Sequence, residues 1–359
     1  MNPLIQAIKN KNYNQLRLLI ELGHDVNVRD EYENWLLQIA IEEEIPFDLI
    51  KLIIESGADV NISTQWGGET LLINSIYASR KQELAKLLIS SGANTNLRSK
   101  SGQIPLILAL KEDRLELAKL LVMKGADVNV KDKDEPSPLI TALKNNWQEL
   151  ANLLIMKGAD INVKDENGNT TLILALCENM VEVTEILIAN GADVNAKNKE
   201  FQTPLFKAAY HNHKEVANIL IANGADINAR DNMEETPLFA AAKQDSKEVA
   251  EILIANGADV NAKNKINASP LFHSIRPKSM RVFNLFIDNE ADLKVQDTYG
   301  YSPLHIACCR NAIDCARILI EKGADINILD NQGKPPIAMV SGYQYELLEL
   351  LLNNGAKKV

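Results

Sequence analysis

The sequence predicts an all-α repeat solenoid, a row of about eleven short repeats in which helix pairs stack on their neighbours. Two phased patterns predict it. The triplet Gly-Ala-Asp, or a close variant, recurs along the chain, and from Gly92 to Gly257 each step is 33 residues. Twelve residues after most of these glycines comes Thr-Pro-Leu, Ser-Pro-Leu or a relative. Such a period indicates stacked repeats, because each unit buries its apolar face only against the next one.

The two patterns keep one phase along almost the whole chain. The first begins at Gly57, Gly92, Gly125, Gly158, Gly191, Gly224, Gly257 and Gly323, with a variant at Gly23. Its register passes through Glu290, where glycine is replaced, and ends at Gly355. The second is found at Ser137-Pro138-Leu139, Thr203-Pro204-Leu205, Thr236-Pro237-Leu238, Ser269-Pro270-Leu271 and Ser302-Pro303-Leu304.

Repeat seven shows how the first helix of each unit is expected to form. Thr203 precedes Pro204, and this pair favours a helix start, because the hydroxyl caps free amides and proline fits the first helical position. Leu205, Ala208 and Ala209 then make the apolar stripe of a short helix.

The rest of the same repeat predicts a turn, a second helix and a finger. The polar segment His211-Asn212-His213 breaks the first helix. Gly224 ends the second helix, since a left-handed residue at that place suits glycine. The chain from there to Thr236 is expected to form an extended finger and a turn. The apolar residues of the second helix are Val216, Ala217, Ile219, Leu220 and Ile221.

This pattern resembles the ankyrin repeat, down to the run from Ser302 through Pro303 and His305 to Ala307. The resemblance covers almost the whole chain, and two phased motifs in so many copies are highly specific. It implies helix-turn-helix units with β-hairpin fingers, stacked in a curved array. It also implies a module that holds another protein, because partners of this family usually bind the finger tips and the exposed face of the first helix.

The repeats leave no long insertion, so we expect a single ankyrin-repeat domain over residues 1–359. Residues 1–33 are expected to form an N-terminal capping repeat, residues 34–334 the internal repeats, and residues 335–359 a C-terminal capping repeat. Glu290 is the exception among the turn glycines. Either its turn has another shape, or the strain of a left-handed residue is tolerated there.

The composition limits which cellular compartment and which class of partner are consistent with the chain. The formal net charge is −10. This acidic charge disfavours binding to nucleic acid and favours solubility. It also favours a partner protein that is basic or of mixed charge. The start of the chain lacks the features of a signal peptide, and the apolar runs are too short to cross a membrane. The four cysteines show no disulfide framework. We therefore expect a cytoplasmic protein, or one delivered into a host cytosol if it is an effector.

Motifs for catalysis or cofactor binding are not found, and we expect no enzyme activity, cofactor or metal. The carboxylates of Gly-Ala-Asp-x-Asn recur at one position, where polar side chains can bond turn backbone. One group has metal-like composition: His305, Cys308, Cys309 and Cys315. His305 belongs to the repeat motif, Cys308 replaces a core alanine and Cys315 falls on an apolar position, so we interpret the group as structural.

Large side chains on turns that are otherwise polar are our candidates for partner binding. We expect those of successive later repeats to form one strip. The finger-tip candidates are Tyr32, Trp66, Phe201, Met233, Ile266, Tyr299 and Tyr301. The alternative is that each ring folds back on its own turn.

The exposed side of the first helices adds further candidates, since Tyr and Arg are favoured interface anchors. Repeat nine departs from the others because it has basic residues at the turn between its helices. These residues could contact an acidic segment of a partner. Sequence drift in a single repeat explains them equally well. The candidates of this group are Tyr77, Tyr210, His211, Arg276, Lys278, Arg310 and Tyr343.

These features together predict a non-catalytic scaffold, monomeric by itself, that docks a protein on its concave face and hairpin tips. An adaptor, an effector and a neutralising or immunity-type binder all fit. One alternative is an assembly element that self-associates through the leucine-rich last repeat. Another is a non-catalytic module of an enzyme complex.

Overall fold

The computed structural model describes residues 2–64, 68–78, 81–132 and 135–357. The candidate Trp66 lies outside the described residues. The chain divides into two compact units, Met1–Asp160 (unit 1) and Ile161–Val359 (unit 2). Each unit is built from helix pairs. We call the segment that links one helix pair to the next a finger.

The helices of unit 1 alternate between a first helix of seven residues and a second helix of nine. They are α1 (Pro3–Lys9), α2 (Tyr13–Glu21), α3 (Leu36–Glu42), α4 (Phe47–Glu55), α5 (Leu71–Tyr77), α6 (Gln82–Ser90), α7 (Pro105–Lys111), α8 (Leu115–Met123), α9 (Pro138–Lys144) and α10 (Gln148–Met156).

Unit 2 also alternates first and second helices, but its first helices have five to eight residues and its second helices eight or nine. A short 3-10 helix, Pro336–Met339, replaces the first helix of its last repeat. Its α-helices are α11 (Thr171–Cys177), α12 (Val181–Ala189), α13 (Pro204–His211), α14 (Lys214–Ala222), α15 (Pro237–Gln244), α16 (Lys247–Ala255), α17 (Pro270–Ser274), α18 (Arg281–Asp288), α19 (Pro303–Cys309), α20 (Ile313–Glu321) and α21 (Tyr345–Asn353).

The expected caps form at some first helices and not at others. Thr203 accepts the amide of Phe206 at 3.4 Å, as the sequence predicts for a hydroxyl before proline. The equivalent hydroxyls of Thr236 and Ser269 are buried and have no hydrogen-bond partner among the described residues. The cap prediction is therefore wrong at these two positions, where proline at the first turn and the apolar contacts of α15 and α17 define the start.

The core of unit 2 lies between the two helices of each repeat and between successive repeats. Leu205, Ala208 and Ala209 of α13 are fully buried, as expected of the apolar stripe. Val216, Ala217 and Leu220 of α14 are also fully buried, whereas Ile219 and Ile221 are half-buried at its edges. First helices pack on first helices and second on second, α13 on α15 and α14 on α16. The all-α repeat solenoid is thus confirmed.

An asparagine that recurs in most repeats bonds to the backbone of the next repeat; Lys294 takes its place in repeat nine. Asn195 donates to the carbonyl of Gly224 at 3.1 Å and accepts the amide of Asp226 at 2.8 Å. Since the glycine adopts φ 83°, its carbonyl and the amide two residues on both face this side chain. The same pair of bonds is made by Asn27, Asn96, Asn129, Asn228 and Asn327.

The fingers are tight turns held by an acidic or amide side chain. Asp231 accepts the amides of Met233 at 2.8 Å and Glu235 at 2.9 Å. Strand pairing in the described fingers is limited to isolated bridges, such as Lys164 with Thr170. The expected β-hairpins are therefore short, because the aspartate bonds take up the amides of the turn.

Repeat nine keeps the turn of its neighbours despite its unusual residues. Glu290 adopts φ 57°, so the turn retains its left-handed shape without glycine. Helix α17 has only five residues, and Arg310 donates to the carbonyls of Phe272 at 3.1 Å and Ile275 at 2.9 Å. An arginine from repeat ten thus supplies the hydrogen bonds that a longer helix would make itself.

Loss of the asparagine bonds should weaken unit 2 locally. We expect Asn195→Ala to lower the free energy of unfolding around α13 to α16 by about 1–3 kcal/mol, because the carbonyl of Gly224 and the amide of Asp226 lose their partner. Amide hydrogen exchange of these helices measures the effect. Asn218→Ala, an exposed position on α14, is the matched control and should change stability little. Equal exchange in both variants would contradict the role given to Asn195.

Candidate functional site

Three exposed apolar side chains occupy one position on consecutive fingers of unit 2, and we call them the tip row. They are Met233, Ile266 and Tyr299, with exposed fractions of 44%, 36% and 63%. Each residue's carbonyl accepts an amide of the following finger, at 3.0, 2.9 and 3.1 Å respectively. These bonds tie neighbouring fingers together at the tips. The tip row therefore lies on adjacent, mutually bonded turns.

Phe201 extends the apolar surface to the preceding finger, one residue out of register with the tip row. Its ring is 56% exposed, and its backbone is left-handed with φ 62°. The same turn position is held by Gly168 and Gly300 in other fingers of the unit. A left-handed phenylalanine is unusual, since its Cβ is crowded by the backbone. The ammonium of Lys197 lies 6.0 Å from the ring centroid.

Tyr301 is placed differently from the tip row. Its ring is half-buried and packs against the imidazole of His305, with centroids 5.6 Å apart. The ring centroid of Tyr299 lies 6.3 Å from that of Tyr301. Tyr301 thus folds back on its own repeat, whereas Tyr299 stays largely in solvent.

The first helices beside these fingers carry the other candidates of unit 2. Tyr210 and His211 are exposed at the end of α13, with ring centroids 5.1 Å apart in an edge-to-face arrangement. Arg276 is half-buried and donates to the carbonyl of Lys243. Lys278 is exposed with φ 64°. Arg276 and Arg310 therefore both donate hydrogen bonds to backbone carbonyls in addition to carrying a positive charge.

A buried carboxylate lies beneath the tip row. Glu235 is 4% exposed and pairs with the ammonium of Lys243 at 2.5 Å. The amide of Asn264 donates to its other oxygen at 3.3 Å. Nε2 of His273 lies 3.6 Å from the same oxygen, beyond hydrogen-bonding distance. The sequence patterns did not reveal this cluster, because its members come from three repeats.

The imidazole of His273 is kept neutral by its surroundings. Burial, followed by the charges of Lys243, Arg310 and Arg276, lowers the pKa of His273 to about 4. Its ring packs edge-to-face on Phe239, with centroids 5.7 Å apart. Burial and the cationic neighbours thus outweigh the nearby carboxylate of Glu235, which is already paired with Lys243.

In the metal-like group of His305, Cys308, Cys309 and Cys315, the imidazole is hydrogen-bonded within the fold and two of the thiols are buried. Nδ1 of His305 accepts the amide of Ser302 at 3.1 Å, and Nε2 lies 3.1 Å from the carbonyl of Lys334. Burial raises the pKa of Cys308 to about 12 and that of Cys315 to about 11, so both thiols stay protonated. Cys309 is exposed. The structural interpretation of these residues therefore accounts for their contacts.

The candidates of unit 1 do not form a comparable row. Tyr32 is 67% exposed on the first finger, and Tyr77 is 43% exposed at the end of α5. A cleft of about 610 Å³ lies beside α7, and Ile104 and Ile107 are among its lining residues. Lys111 and Glu135 also line the cleft and form a salt bridge of 2.8 Å with each other.

The last repeat presents its aromatic residues to solvent. Tyr343 is 91% exposed in the turn before α21. Leu347 and Leu351 of α21 are fully buried, whereas Leu348 and Leu352 are half-buried. Core packing therefore accounts for part of this leucine-rich helix.

The strain at Phe201 predicts a gain in stability when it is relieved. We expect Phe201→Gly to stabilise unit 2 by about 1 kcal/mol relative to Phe201→Ala, since alanine keeps a Cβ in the left-handed turn and glycine does not. Urea denaturation of the two variants measures the difference. A lower stability for the glycine variant would show that the turn stores no such strain.

The environment of His273 predicts a loss of stability in mild acid. Its pKa is 6.5 when unfolded and about 4 when folded, so between about pH 6.5 and about pH 4 the unfolded chain binds the proton more strongly than the folded chain. From about pH 7 to about pH 5 this should cost up to about 2 kcal/mol. Melting curves of the protein and of His273→Gln test it, because glutamine does not titrate. Parallel pH dependence of the two proteins would contradict the prediction.

None of the helices in the described part of the chain combines the length and apolar character needed to span a bilayer.

Comparisons with known proteins agree on the fold. The ankyrin repeat domain of human ASB11 has a TM-score of 0.57 and 23% identity, covering 62% of this chain and 100% of that one. The ankyrin repeat domain of Bcl-3, a member of the IkappaB protein family, has a TM-score of 0.52 and 25% identity, with the same coverages. A search of curated proteins found no match.

The sequence model described as ankyrin repeats (3 copies) matches residues 36–132, 126–198, 195–264 and 271–359. Ankyrin-repeat domains are generally modules for protein–protein interaction. The match extends over most of the sequence, and the helix pairs, left-handed turns and fingers follow the same period. This chain belongs to the ankyrin-repeat family.

Proposed function

We propose that this protein is a non-catalytic scaffold that holds a partner protein on the finger side of unit 2. The tip row supports the proposal most directly. Met233, Ile266 and Tyr299 expose apolar surface on three consecutive fingers. The same position holds Glu200 and Gln332 in the fingers on either side of them. Apolar surface concentrated at one place among polar equivalents is typical of an interaction site.

The energetics favour binding at this place. Each large apolar side chain that becomes buried contributes on the order of 1.5–3 kcal/mol. Phe201 adds a fourth such side chain in a strained turn, and strain of this kind concentrates at binding and active sites. Since the fingers are bonded to each other through their backbones, they lose little freedom when a partner binds.

The polar groups on the same side fit binding better than catalysis. Glu235 is paired with Lys243, and His273 is neutral and half-buried beside it. His305 uses both ring nitrogens inside the repeat. A general acid or base needs a titrating group presented to a substrate, and these groups are turned to the fold instead.

An adaptor, an effector and a neutralising binder would each use such a surface, and the partner decides between these roles. We propose that the protein functions as a monomer rather than as a self-associating assembly. Each half-buried leucine of α21 is less exposed than Met233 or Tyr299 of the tip row.

Removal of the apolar tips should abolish capture of the partner. We expect the triple variant Phe201→Asp, Ile266→Asp and Tyr299→Asp to lose, by about tenfold or more, the proteins that the unmodified chain retains from native extract. Quantitative mass spectrometry of the bound fraction measures the loss. Aspartate tolerates the left-handed turn at Phe201, so the fold should persist.

A matched control places charge on exposed apolar residues away from the fingers. Met123→Asp and Met156→Asp alter side chains that are 56% and 78% exposed at the ends of α8 and α10. This variant should retain every partner. If the triple variant is folded by circular dichroism and captures the same proteins as the control, the proposed surface is wrong.

A further inference from the structure

We propose that Asn167 is a site of spontaneous deamidation, because the fold restrains the side chains of the other four Asn-Gly pairs and leaves that of Asn167 unrestrained. The pairs begin at Asn167, Asn190, Asn223, Asn256 and Asn354. Asparagine is most prone to this reaction when glycine follows it, because glycine has no side chain to obstruct attack by its own nitrogen. Deamidation there is a property of the chain itself and does not depend on the proposed function.

The reaction needs only the two residues of the pair and water. The backbone nitrogen of Gly168 loses its proton and attacks Cγ of Asn167, and the side-chain nitrogen leaves as ammonia. Water then opens the cyclic imide at either of its carbonyl carbons. Opening at one carbon gives aspartate, and opening at the other gives isoaspartate. Neither step oxidises or reduces any group.

Four of the pairs lie where a second helix ends, and there a hydrogen bond holds the asparagine side chain. Asn190, Asn223 and Asn256 each donate to the carbonyl of the residue four positions earlier, at 2.8 Å. Asn354 makes the same bond to the carbonyl of Leu350, also at 2.8 Å. This bond ties the side-chain amide to the last helical turn, so it must break before Cγ can reach the nitrogen of the following glycine.

Asn167 lies at a finger tip instead, in the register of Glu200 and Met233. Its backbone is held in the turn, since its amide donates to the carboxylate of Asp165 at 2.9 Å and its carbonyl accepts the amide of Lys199 at 3.1 Å. Its side chain makes no hydrogen bond with any part of the chain that the structure describes. This side chain can therefore rotate toward the nitrogen of Gly168 without losing a bond.

Solvent access and the glycine backbone do not distinguish the five pairs. All five asparagines are exposed, and each following glycine has a positive φ and donates its amide to a nearby carbonyl. Gly168 has φ 73° and donates to the carbonyl of Asp165 at 2.9 Å, and Gly224 has φ 83° and donates to that of Ile221 at 3.0 Å. The hydrogen bond of the asparagine side chain is therefore the difference between the pairs.

The two products change the finger in different ways. Aspartate adds a negative charge and leaves the main chain as it was. Isoaspartate routes the main chain through Cβ and Cγ, so the carbonyl that accepts the amide of Lys199 becomes part of a free carboxylate. Because this bond joins the finger of Asn167 to the finger that carries Phe201, isoaspartate should loosen the contact between them.

The full-length chain, incubated in mildly alkaline buffer and sampled over weeks, tests the proposal by peptide mapping with mass spectrometry. We expect Asn167 to convert about tenfold faster than each of the other four asparagines, because a hydrogen bond of ordinary strength must break at each of those. Both aspartate and isoaspartate should appear. In the chain unfolded by urea, the five rates should agree within about threefold, since helix ends no longer hold four of the side chains.

Two matched glutamine variants separate the site from its surroundings. Asn167→Gln should abolish the fast conversion, because the longer side chain would have to close a larger ring, whereas Asn190→Gln should leave it unchanged. Hydrogen exchange of the Lys199 amide should rise with the fraction of isoaspartate. It should stay unchanged in Asn167→Asp, which carries the added charge on an unaltered main chain.

Three results would overturn the proposal. Equal conversion of the asparagines in the folded chain would show that the side-chain bonds give no protection. A preference for Asn167 that persists in urea would assign the difference to local sequence rather than to the fold. Aspartate without isoaspartate would show direct hydrolysis of the side chain instead of attack by Gly168. The proposed function is tested separately, by the capture of protein partners.

Discussion

The asparagine side chain that recurs in most repeats makes the interaction that fixes how one repeat is placed on the next. Through two hydrogen bonds, Asn195 holds the carbonyl of Gly224 and the amide of Asp226 in the next repeat. Apolar burial between helices provides most of the stabilisation, but it is non-directional and tolerates sliding. The asparagine bonds are directional, and they form only when the turn of the next repeat is left-handed. They therefore convert a stack of amphipathic helices into a stack with one register.

This constraint explains how repeat nine departs from the others without disrupting its neighbours. Glu290 takes the left-handed conformation of the glycine it replaces, and Asn261 still accepts the amide of Asp292 at 2.8 Å. The shortened α17 loses its own hydrogen-bond partners, and Arg310 supplies them from the next repeat. Basic residues that stand out in the sequence thus compensate for local irregularity.

The fingers inherit their order from the same stacking. Backbone bonds join the tips from one finger to the next, so side chains on consecutive fingers lie side by side even though they are 33 residues apart in sequence. A solenoid in this way builds a surface from single residues of many repeats. The tip row is a property of the stack, because a single finger contains only one of its members.

The sequence by itself determined the family, the helix pairs and the turn glycines, because a 33-residue period places each residue type at one structural position. It also singled out Phe201 and the tip row, since large apolar residues on polar turns break the pattern. Tertiary structure alone decided which aromatic residues face solvent: Tyr299 does, whereas Tyr301 packs on His305. It alone revealed the asparagine bonds and the pairing of Glu235 with Lys243 beside His273. Such contacts depend on distances between repeats, and a repeat pattern specifies which residues are equivalent without specifying which ones touch.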